Sequence, residues 1–225
     1  MAPRRLTPTV FKQRRARAEW EATFIPGTYI LANSLGITDA RQLQRAEFVL
    51  ACDAELRILD GSTAIAATYD FDHLKALHVA LVGDIYPWAG RCRGYELARG
   101  SVSFAPTHII DGQLGKTARF VRGQRWASLG HEETAAALAQ VYARLNYAHP
   151  FRDCNGRAGK LFVRLLAREH GWEVDYSRVS IADWIHGSRL SLPEVTVGTA
   201  WGRDTEPDPA YLVPAFLRAL IAPAG

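Results

Sequence analysis

The sequence lacks the features that mark small secreted scaffolds, zinc proteins and membrane spans. Its 225 residues include three cysteines, Cys52, Cys92 and Cys154, an odd number with no Cys-x-x-Cys spacing. That pattern argues against a disulfide framework and a zinc site, and it fits a reducing compartment such as the cytoplasm. No run of 18 apolar residues occurs, so the sequence predicts no membrane span.

Internal repeats and low-complexity segments are also absent, and 48% hydrophobic with 22% charged residues is the composition of a globular protein. The charge is uneven along the chain. The net charge is +4, but the first twenty residues alone contribute +5, because six basic residues face a single acidic one, Glu19. The sequence therefore predicts a basic, flexible tail over residues 1–19 and one domain over residues 20–225.

The basic tail allows several interpretations. No apolar stretch follows its basic part, so we do not interpret it as a secretory signal peptide. A basic tail can contact nucleic acid or an anionic membrane, but a solvated terminus is the simpler interpretation. Elsewhere no basic stripe alternates with aromatic residues, so we expect no nucleic-acid partner and no membrane partner.

Helical patterning dominates the rest of the chain. Helices are predicted from Asp39 to Asp60, from Phe71 to Leu81, from Glu132 to Ala148, over residues 156–170, around Trp184, and from Asp208-Pro209 through Leu220. His73 and His78 are five residues apart, the wrong spacing for a metal-binding pair on a helix. We expect one of these histidines to be exposed and the other to be packed.

Residues 91–104 have a different pattern. Two short strands, over residues 91–97 and 101–104, are predicted to flank a turn at Ala98-Arg99-Gly100. Strands do not alternate with helices, which argues against a doubly wound sheet. The predicted class is a mainly helical domain with one small β-hairpin.

The segment from His149 to Lys160 lies between two strong helix patterns and concentrates polar groups. His149 can take up a proton near neutral pH. Asp153 is a hard oxygen ligand suited to Mg²⁺, which prefers one or two carboxylates together with substrate phosphates.

The next residues open a helix. Asn155 and Gly156 lie at its start, where unpaired backbone N–H groups and the helix dipole favour an anion. Arg157 and Lys160 are three residues apart, so they share one face of its first turns. A base, a carboxylate, an anion site and two cations are the parts that phosphate chemistry requires. The alternative is a polar loop whose charges are only solvated.

Two Gly-Lys pairs resemble the end of a P-loop motif, but neither has the other residues that the motif requires. Gly159-Lys160 has Cys154 where the motif needs glycine and Leu161 where it needs serine or threonine. Gly115-Lys116-Thr117 has Ile110 at the position of the first glycine.

The segment resembles the Fic motif, HPFx[D/E]GNGRxxR, through His149-Pro150-Phe151, Asp153 and Asn155-Gly156-Arg157. The stretch from Leu74 to Arg91 also resembles the segment that precedes the family's flap, and Phe104-Ala105-Pro106 resembles the end of that flap. The resemblance covers about residues 20–187. It implies a helical bundle of six to eight helices with a small β-hairpin flap, and most members transfer AMP from ATP to a Ser, Thr or Tyr hydroxyl of a target protein.

The resemblance also implies roles for individual residues. His149 would be the general base that takes the hydroxyl proton, and Asp153 would hold Mg²⁺. Asn155 and the backbone around Gly156 would hold the α-phosphate. Arg157 would contact the β-phosphate region, and Lys160 the γ-phosphate. The flap, at about residues 95–103, would pair with an extended segment of the target.

Two residues depart from the motif. Cys154 replaces its first glycine, which would strain the turn by about 1–2 kcal/mol if that position needs a positive φ. Lys160 replaces an arginine, so the charge is kept but the two-pronged hydrogen bonding is lost. Asn155-Gly156-Arg157 is retained, whereas the Doc kinase branch carries Asn-Lys, which favours AMP transfer over phosphorylation.

Many Fic proteins carry an inhibitory helix with the pattern [S/T]xxxE[G/N]. Ser128 and Glu132 have the spacing, but Glu133 follows them and the site lies in mid-chain. By resemblance we expect a toxin held inactive by a separate antitoxin, whose glutamate would pair with Lys160. A Doc-like kinase, an impaired Fic domain that acts as a binding module, and an exported effector are the alternatives.

Overall fold

The structure is a computed structural model, and it describes residues 8–100, 102–193 and 206–222. Eight α-helices lie within these ranges. They are α1 Pro8–Glu21, α2 Ala40–Leu59, α3 Phe71–Val82, α4 Ile110–Gly123, α5 His131–Ala148, α6 Asn155–Glu169, α7 Ile181–Leu190 and α8 Val213–Ala219. Two antiparallel pairs of two-residue strands join β1 Ala98–Arg99 to β2 Val102–Ser103, and β3 Glu173–Val174 to β4 Leu220–Ile221. The predicted helical bundle with a small hairpin is confirmed.

Two helices start directly after capping aspartates. Asp39 accepts a hydrogen bond from the backbone N–H of Gln42 at 2.8 Å, and α2 begins at the next residue. Asp70 accepts from the N–H groups of Asp72 and His73, each at 3.1 Å, and α3 follows it directly. Each carboxylate satisfies donors that have no partner inside the helix.

Helix α5 forms the centre of the domain. It packs against α4, α6 and α8, and α3 in turn packs against α2 and α6. Leu138 and Val141 are 0% exposed, as a helix with neighbours on several sides requires. The C-terminal end of α5 meets the start of α6, so the segment with the Fic-like motif is anchored directly on the core.

The beginning of the chain differs from the predicted tail. Residues Pro8–Glu21 form α1, and only residues 1–7 of the predicted tail lie outside the described residues. Glu19 accepts a hydrogen bond from the N–H of Gly94 at 2.7 Å, and the Trp20 ring lies 5.2 Å from that of Tyr95, edge to face. The sequence pattern did not predict this helix because the helix has no apolar stripe. A few specific contacts hold it against the domain instead.

Two further helices differ from the prediction. Helix α4 was not predicted, because Gly112 and Gly115 interrupt a pattern that burial of Ile110 and Leu114 supports. The last helix does not run through Leu220. A 3-10 turn at Pro209–Tyr211 precedes α8, whose second residue, a proline, cannot bond back to that turn, and Leu220 lies in β4.

The hairpin also starts later than predicted. Residues 91–97 are not a strand, and β1 begins at Ala98. The earlier segment runs beside the end of α5 instead, where the N–H of Arg93 donates to the carbonyl of Pro150 at 2.8 Å. Gly100 turns the hairpin with a φ of +63°. Ser101 lies outside the described residues.

Candidate active site at the turn between α5 and α6

The turn between α5 and α6 begins and ends in left-handed backbone. His149 closes α5 at φ 41° and ψ 57°, and Cys154 precedes α6 at φ 59° and ψ 11°. Each such residue costs about 1–2 kcal/mol unless it is glycine. Cys154 occupies the first glycine position of the Fic motif, so in this chain a non-glycine residue takes the left-handed conformation there. Strain of this kind persists where the surroundings fix it, often at functional sites.

Three buried side chains tie the turn to the rest of the fold. The Asn155 amide closes it, since Nδ2 donates to the Phe151 carbonyl and Oδ1 accepts from the Phe151 N–H, both at 2.9 Å. The Arg93 guanidinium donates to the His149 carbonyl at 2.8 Å. His78 lies 3.0 Å from the Asp153 carbonyl through Nε2, while its Nδ1 accepts from the N–H of Gly90.

These contacts bear on two expectations. Asn155 uses its amide to hold the turn, and its role at the α-phosphate stays a prediction. His73 and His78 are both buried, at 2% and 0% exposure, so neither is the exposed histidine that the sequence suggested. Burial lowers the pKa of His78 to about 4, which keeps it neutral.

The imidazole of His149 is held as a neutral base. Its Nδ1 lies 3.1 Å from the carbonyl oxygen of Asn146, and a carbonyl only accepts, so Nδ1 carries the proton and Nε2 keeps its lone pair. The ring stacks on Phe104 with centroids 3.5 Å apart. Burial, with Arg93 and Arg99 nearby, lowers the pKa of His149 to about 3. The ring is therefore unprotonated at neutral pH.

Asp153 lies beside the start of α6 on one side of the cavity. The side chain of Asp153 is exposed, and its Oδ1 accepts from the N–H of Cys154 at 2.7 Å. The first N–H of α6 that bonds back along the chain is that of Ala158, to the Cys154 carbonyl at 3.1 Å. The N–H groups of residues 155–157 precede it and belong to the free end of the helix. Gly156 is exposed there.

The two cations of the motif have different surroundings. Arg157 Nη1 lies 2.5 Å from Glu47 Oε1, so this guanidinium is paired with a carboxylate from α2. Lys160 Nζ lies over aromatic rings, 4.6 Å from that of Trp184 and 5.0 Å from that of Tyr176. Burial lowers the pKa of Lys160. Both cations border the same cavity.

Cys154 contributes shape rather than nucleophilicity. It is 7% exposed, and burial, with the carboxylates of Glu47 and Asp153 beside it, raises the pKa of its thiol well above the ordinary value. A thiol held in that form is a poor nucleophile. Its Sγ lies 3.9 Å from Nη1 of Arg157.

These groups face one cavity of about 770 Å³, large enough for a nucleotide. All six residues that the sequence singled out line it, namely His149, Asp153, Asn155, Gly156, Arg157 and Lys160. The wall beyond Lys160 includes Tyr142 and Trp184, whose rings are 4.8 Å apart. The flap contributes Arg99 and Val102 at the mouth of the cavity.

Sequence reasoning missed two polar residues of this region. Glu47 lines the cavity from α2, and Arg93 is 4% exposed with donors on the carbonyls of Tyr95 and Ala105 as well as that of His149. Glu47 is one charged residue on an amphipathic helix, and nothing in its neighbours along the chain indicates a distant partner. Arg93 lies in a segment that the pattern assigned to a strand.

Comparisons with known proteins agree on one family. The model of the Fic/DOC family matches residues 68–167. The chain is 34% identical over 155 residues to protein adenylyltransferase VbhT of Bartonella schoenbuchensis, which covers 68% of this chain and 32% of that protein. It is 32% identical over 158 residues to probable protein adenylyltransferase y4lH of Sinorhizobium fredii, covering 68% and 79% respectively. The chain thus spans about a third of VbhT and nearly four-fifths of y4lH.

Solved structures share the fold. BepC, a VirB-translocated effector protein of Bartonella tribocorum solved with bound AMPPNP, matches with a TM-score of 0.75 over 91% of this chain and 98% of that one, at 20% identity. The N-terminal Fic domain of a putative cell filamentation protein of Bartonella quintana, solved with bound ADP, gives 0.74 over 89% and 95%, also at 20% identity. Among the described residues, no helix has the length and hydrophobicity to cross a bilayer.

Proposed function

The chain belongs to the Fic/DOC family, and from this premise we propose that it is a protein adenylyltransferase that transfers AMP from ATP to a Ser, Thr or Tyr hydroxyl of a target protein. The observation that carries the proposal is the neutral imidazole of His149, whose Nε2 is available in the cavity that also contains the start of α6. A base beside an anion-binding helix end is the arrangement that nucleotidyl transfer needs.

The proposed reaction is a displacement at the α-phosphorus. The target hydroxyl gives its proton to Nε2 of His149 while its oxygen forms a bond to the α-phosphorus. The bond from that phosphorus to the oxygen bridging to the β-phosphate breaks, and pyrophosphate leaves with the electron pair. Although the pKa of His149 is about 3, the negative charge of the bound triphosphate would stabilise the imidazolium that forms.

The positive end of α6 would hold the phosphates. Backbone N–H groups at Gly156 and its neighbours are available to phosphate oxygens, since they lack partners within the helix. Arg157 and Lys160 border the same cavity, and their charges would balance that of the β- and γ-phosphates. Lysine lacks the planar fork of arginine, so we expect looser orientation at the γ-phosphate.

Asp153 fits Mg²⁺ as the single carboxylate of a site completed by phosphate oxygens and water. Its side chain is exposed on the cavity, and its Oδ1 is already oriented by the Cys154 N–H. Magnesium commonly binds ATP in this way, through one or two carboxylates. When bound, the ion would neutralise phosphate charge.

The flap would present the target. In the described residues β1 pairs only with β2, through Ala98 with Ser103 and Arg99 with Val102. The outer edge of so short a hairpin remains available to an extended segment of the target, which would place a hydroxyl near His149. Phe104, at the foot of the flap, stacks on His149, so the flap and the base are in direct contact.

The proposal also includes inhibition by a separate protein. We propose a toxin that works in the cytoplasm, which its three free cysteines fit, and that a glutamate of a separate antitoxin meets Lys160. Expression of the chain alone should then arrest bacterial growth, and the His149→Ala variant should not. Arrest by both proteins would contradict toxicity through AMP transfer.

Mass spectrometry of a lysate incubated with the protein, ATP and Mg²⁺ tests the reaction. A mass increase equal to AMP on a lysate protein, absent with His149→Ala, is the expected result. An increase equal to phosphate would identify a Doc-like kinase. No modification together with no ATP binding would identify a binding module.

A further inference from the structure

We propose that Glu47 is a positioning residue, which holds the guanidinium of Arg157 in the orientation that receives the triphosphate. The inference rests on the proposed function. Arg157 Nη1 lies 2.5 Å from Glu47 Oε1, and the two residues are 110 positions apart in the chain. The contact thus connects α2, outside the Fic-like motif, to the helix that carries the motif.

Glu47 is itself fixed from behind. Its second oxygen, Oε2, accepts a hydrogen bond from the Tyr86 hydroxyl at 2.6 Å. Tyr86 is 1% exposed and stacks on Trp88 with centroids 4.4 Å apart. Burial and the adjacent carboxylate raise the pKa of Tyr86 well above its ordinary value, so the phenol remains a donor. With both oxygens engaged, the carboxylate is anchored and cannot follow a moving arginine.

The guanidinium keeps donors for a ligand. Within the described residues, its bond to Glu47 and its contact with the Cys154 thiol both use Nη1, which leaves Nε and Nη2 for phosphate oxygens. The side chain of Arg157 is 34% exposed and that of Glu47 is 16% exposed, and both border the cavity. The rigid fork of arginine can bind a carboxylate on one side and a phosphate on the other.

If Glu47 competed with ATP for Arg157 instead of positioning it, the predicted change in ATP affinity would have the opposite sign. A carboxylate beside the triphosphate also repels it, so a glutamate that competed with ATP for Arg157 would weaken binding, and its removal would tighten binding. We favour positioning because Glu47 is held by Tyr86 on the wall of the cavity. The sign of the change in ATP affinity therefore separates the two roles.

Glu47→Gln tests the proposal, since it removes the charge and keeps the shape. We expect the KM for ATP to rise about tenfold with kcat changed less than about threefold, and the affinity for AMPPNP, measured by calorimetry, to fall by a similar factor. Tyr86→Phe should shift both in the same direction by about threefold. In an Arg157→Ala background, Glu47→Gln should have no further effect, because it acts through that arginine.

Asp53→Asn is the matched control. Asp53 lies on the same helix and forms an exposed ion pair with Arg57 at 2.7 Å, outside the residues that line the cavity. It should leave both values unchanged, and thermal unfolding should report all variants as folded. Tighter AMPPNP binding by Glu47→Gln, an equal effect of Asp53→Asn, or a full effect in the Arg157→Ala background would overturn the inference.

Failure of the proposed function can be distinguished from failure of this inference. If the wild-type protein binds AMPPNP but transfers no AMP, the proposed function fails, and the calorimetric comparison of Glu47→Gln with wild type still decides the inference. If the wild-type protein binds no nucleotide, both are overturned.

Discussion

The turn at residues 149–154 and the flap at about residues 95–103 differ in how they are held, although the stacked rings of His149 and Phe104 bring them together. Phe151 in the turn is 0% exposed, and three buried side chains bond to the backbone of the turn or its flank. The flap has two paired positions, and both residues of β1 are exposed. The proposed base, His149, is therefore held by buried contacts, whereas the flap, which would meet the target, can adapt to it.

Arg93 connects the two regions. Its guanidinium donates to the carbonyl of His149 on one side and to those of Tyr95 and Ala105, at the ends of the flap, on the other. One buried cation thus sets both the end of α5 and the foot of the hairpin. The following predictions test whether the rigid turn carries the chemistry and how it is maintained.

The largest effect should come from His149→Ala. We expect AMP transfer to fall about 10³-fold, because a general base contributes on the order of 10²–10⁴. AMPPNP affinity measured by calorimetry should change less than about threefold, since the helix end and the cations remain. The exposed His108→Ala is the control, and substantial transfer by His149→Ala would refute the role of the turn.

Arg93→Gln should destabilise both regions at once. Loss of the guanidinium leaves several buried carbonyls without a donor, for which we expect about 3 kcal/mol less free energy of unfolding. The exposed neighbour Arg91→Gln provides the control, with a change below about 0.5 kcal/mol. Equal stability of the two variants in denaturant titrations would show that Arg93 does not hold these regions together.

Acid should weaken the turn. The pKa of His78 is about 4 in the folded protein and 6.5 ordinarily, so unfolding takes up a proton between these values. The stabilisation is complete above pH 6.5 and is lost as the pH falls to about 4, on the order of 3 kcal/mol for this histidine. Unfolding titrations should show the loss, with a smaller one in His78→Gln and an unchanged profile in His108→Gln. A flat wild-type profile would contradict the assignment.

Gly156→Ala should separate stability from binding. An added Cβ would have nothing within 4 Å, so the free energy of unfolding should stay equal or rise by up to about 1 kcal/mol. The same Cβ would narrow the approach to the free N–H groups of α6, and we expect AMPPNP affinity to fall about tenfold. Gly112→Ala on α4, which is equally open, should change only stability. Unchanged AMPPNP affinity in Gly156→Ala would place the phosphates elsewhere.

The smallest effect is expected at Cys154. Cys154→Gly relieves the left-handed strain but loses a small buried side chain and adds chain entropy, so the free energy of unfolding should change by less than about 1 kcal/mol. Cys154→Val should cost about 2 kcal/mol or more, because a branched side chain tolerates this backbone poorly. Similar stability of both variants would show that the positive φ is not imposed by the turn.

Features formed by residues close together in the chain could be predicted from the sequence, whereas contacts between residues far apart in the chain could not. The six site residues lie within twelve positions, so their proximity in space follows from one turn between two helices. Asp39 marked the start of α2, because a cap bonds only to residues close to it along the chain. Glu47 and Arg93 could not be assigned, since their partners lie 110 and 56 positions away. No local pattern encodes such pairs.

The central claim is that a nucleoside triphosphate and the imidazole of His149 meet where the chain enters α6. A crystal structure with AMPPNP and Mg²⁺ tests it most directly. We predict phosphate oxygens on the N–H groups at Gly156 and on Arg157, with Nε2 of His149 facing the α-phosphate. A triphosphate bound elsewhere, or a His149 ring turned away from it, would contradict the account.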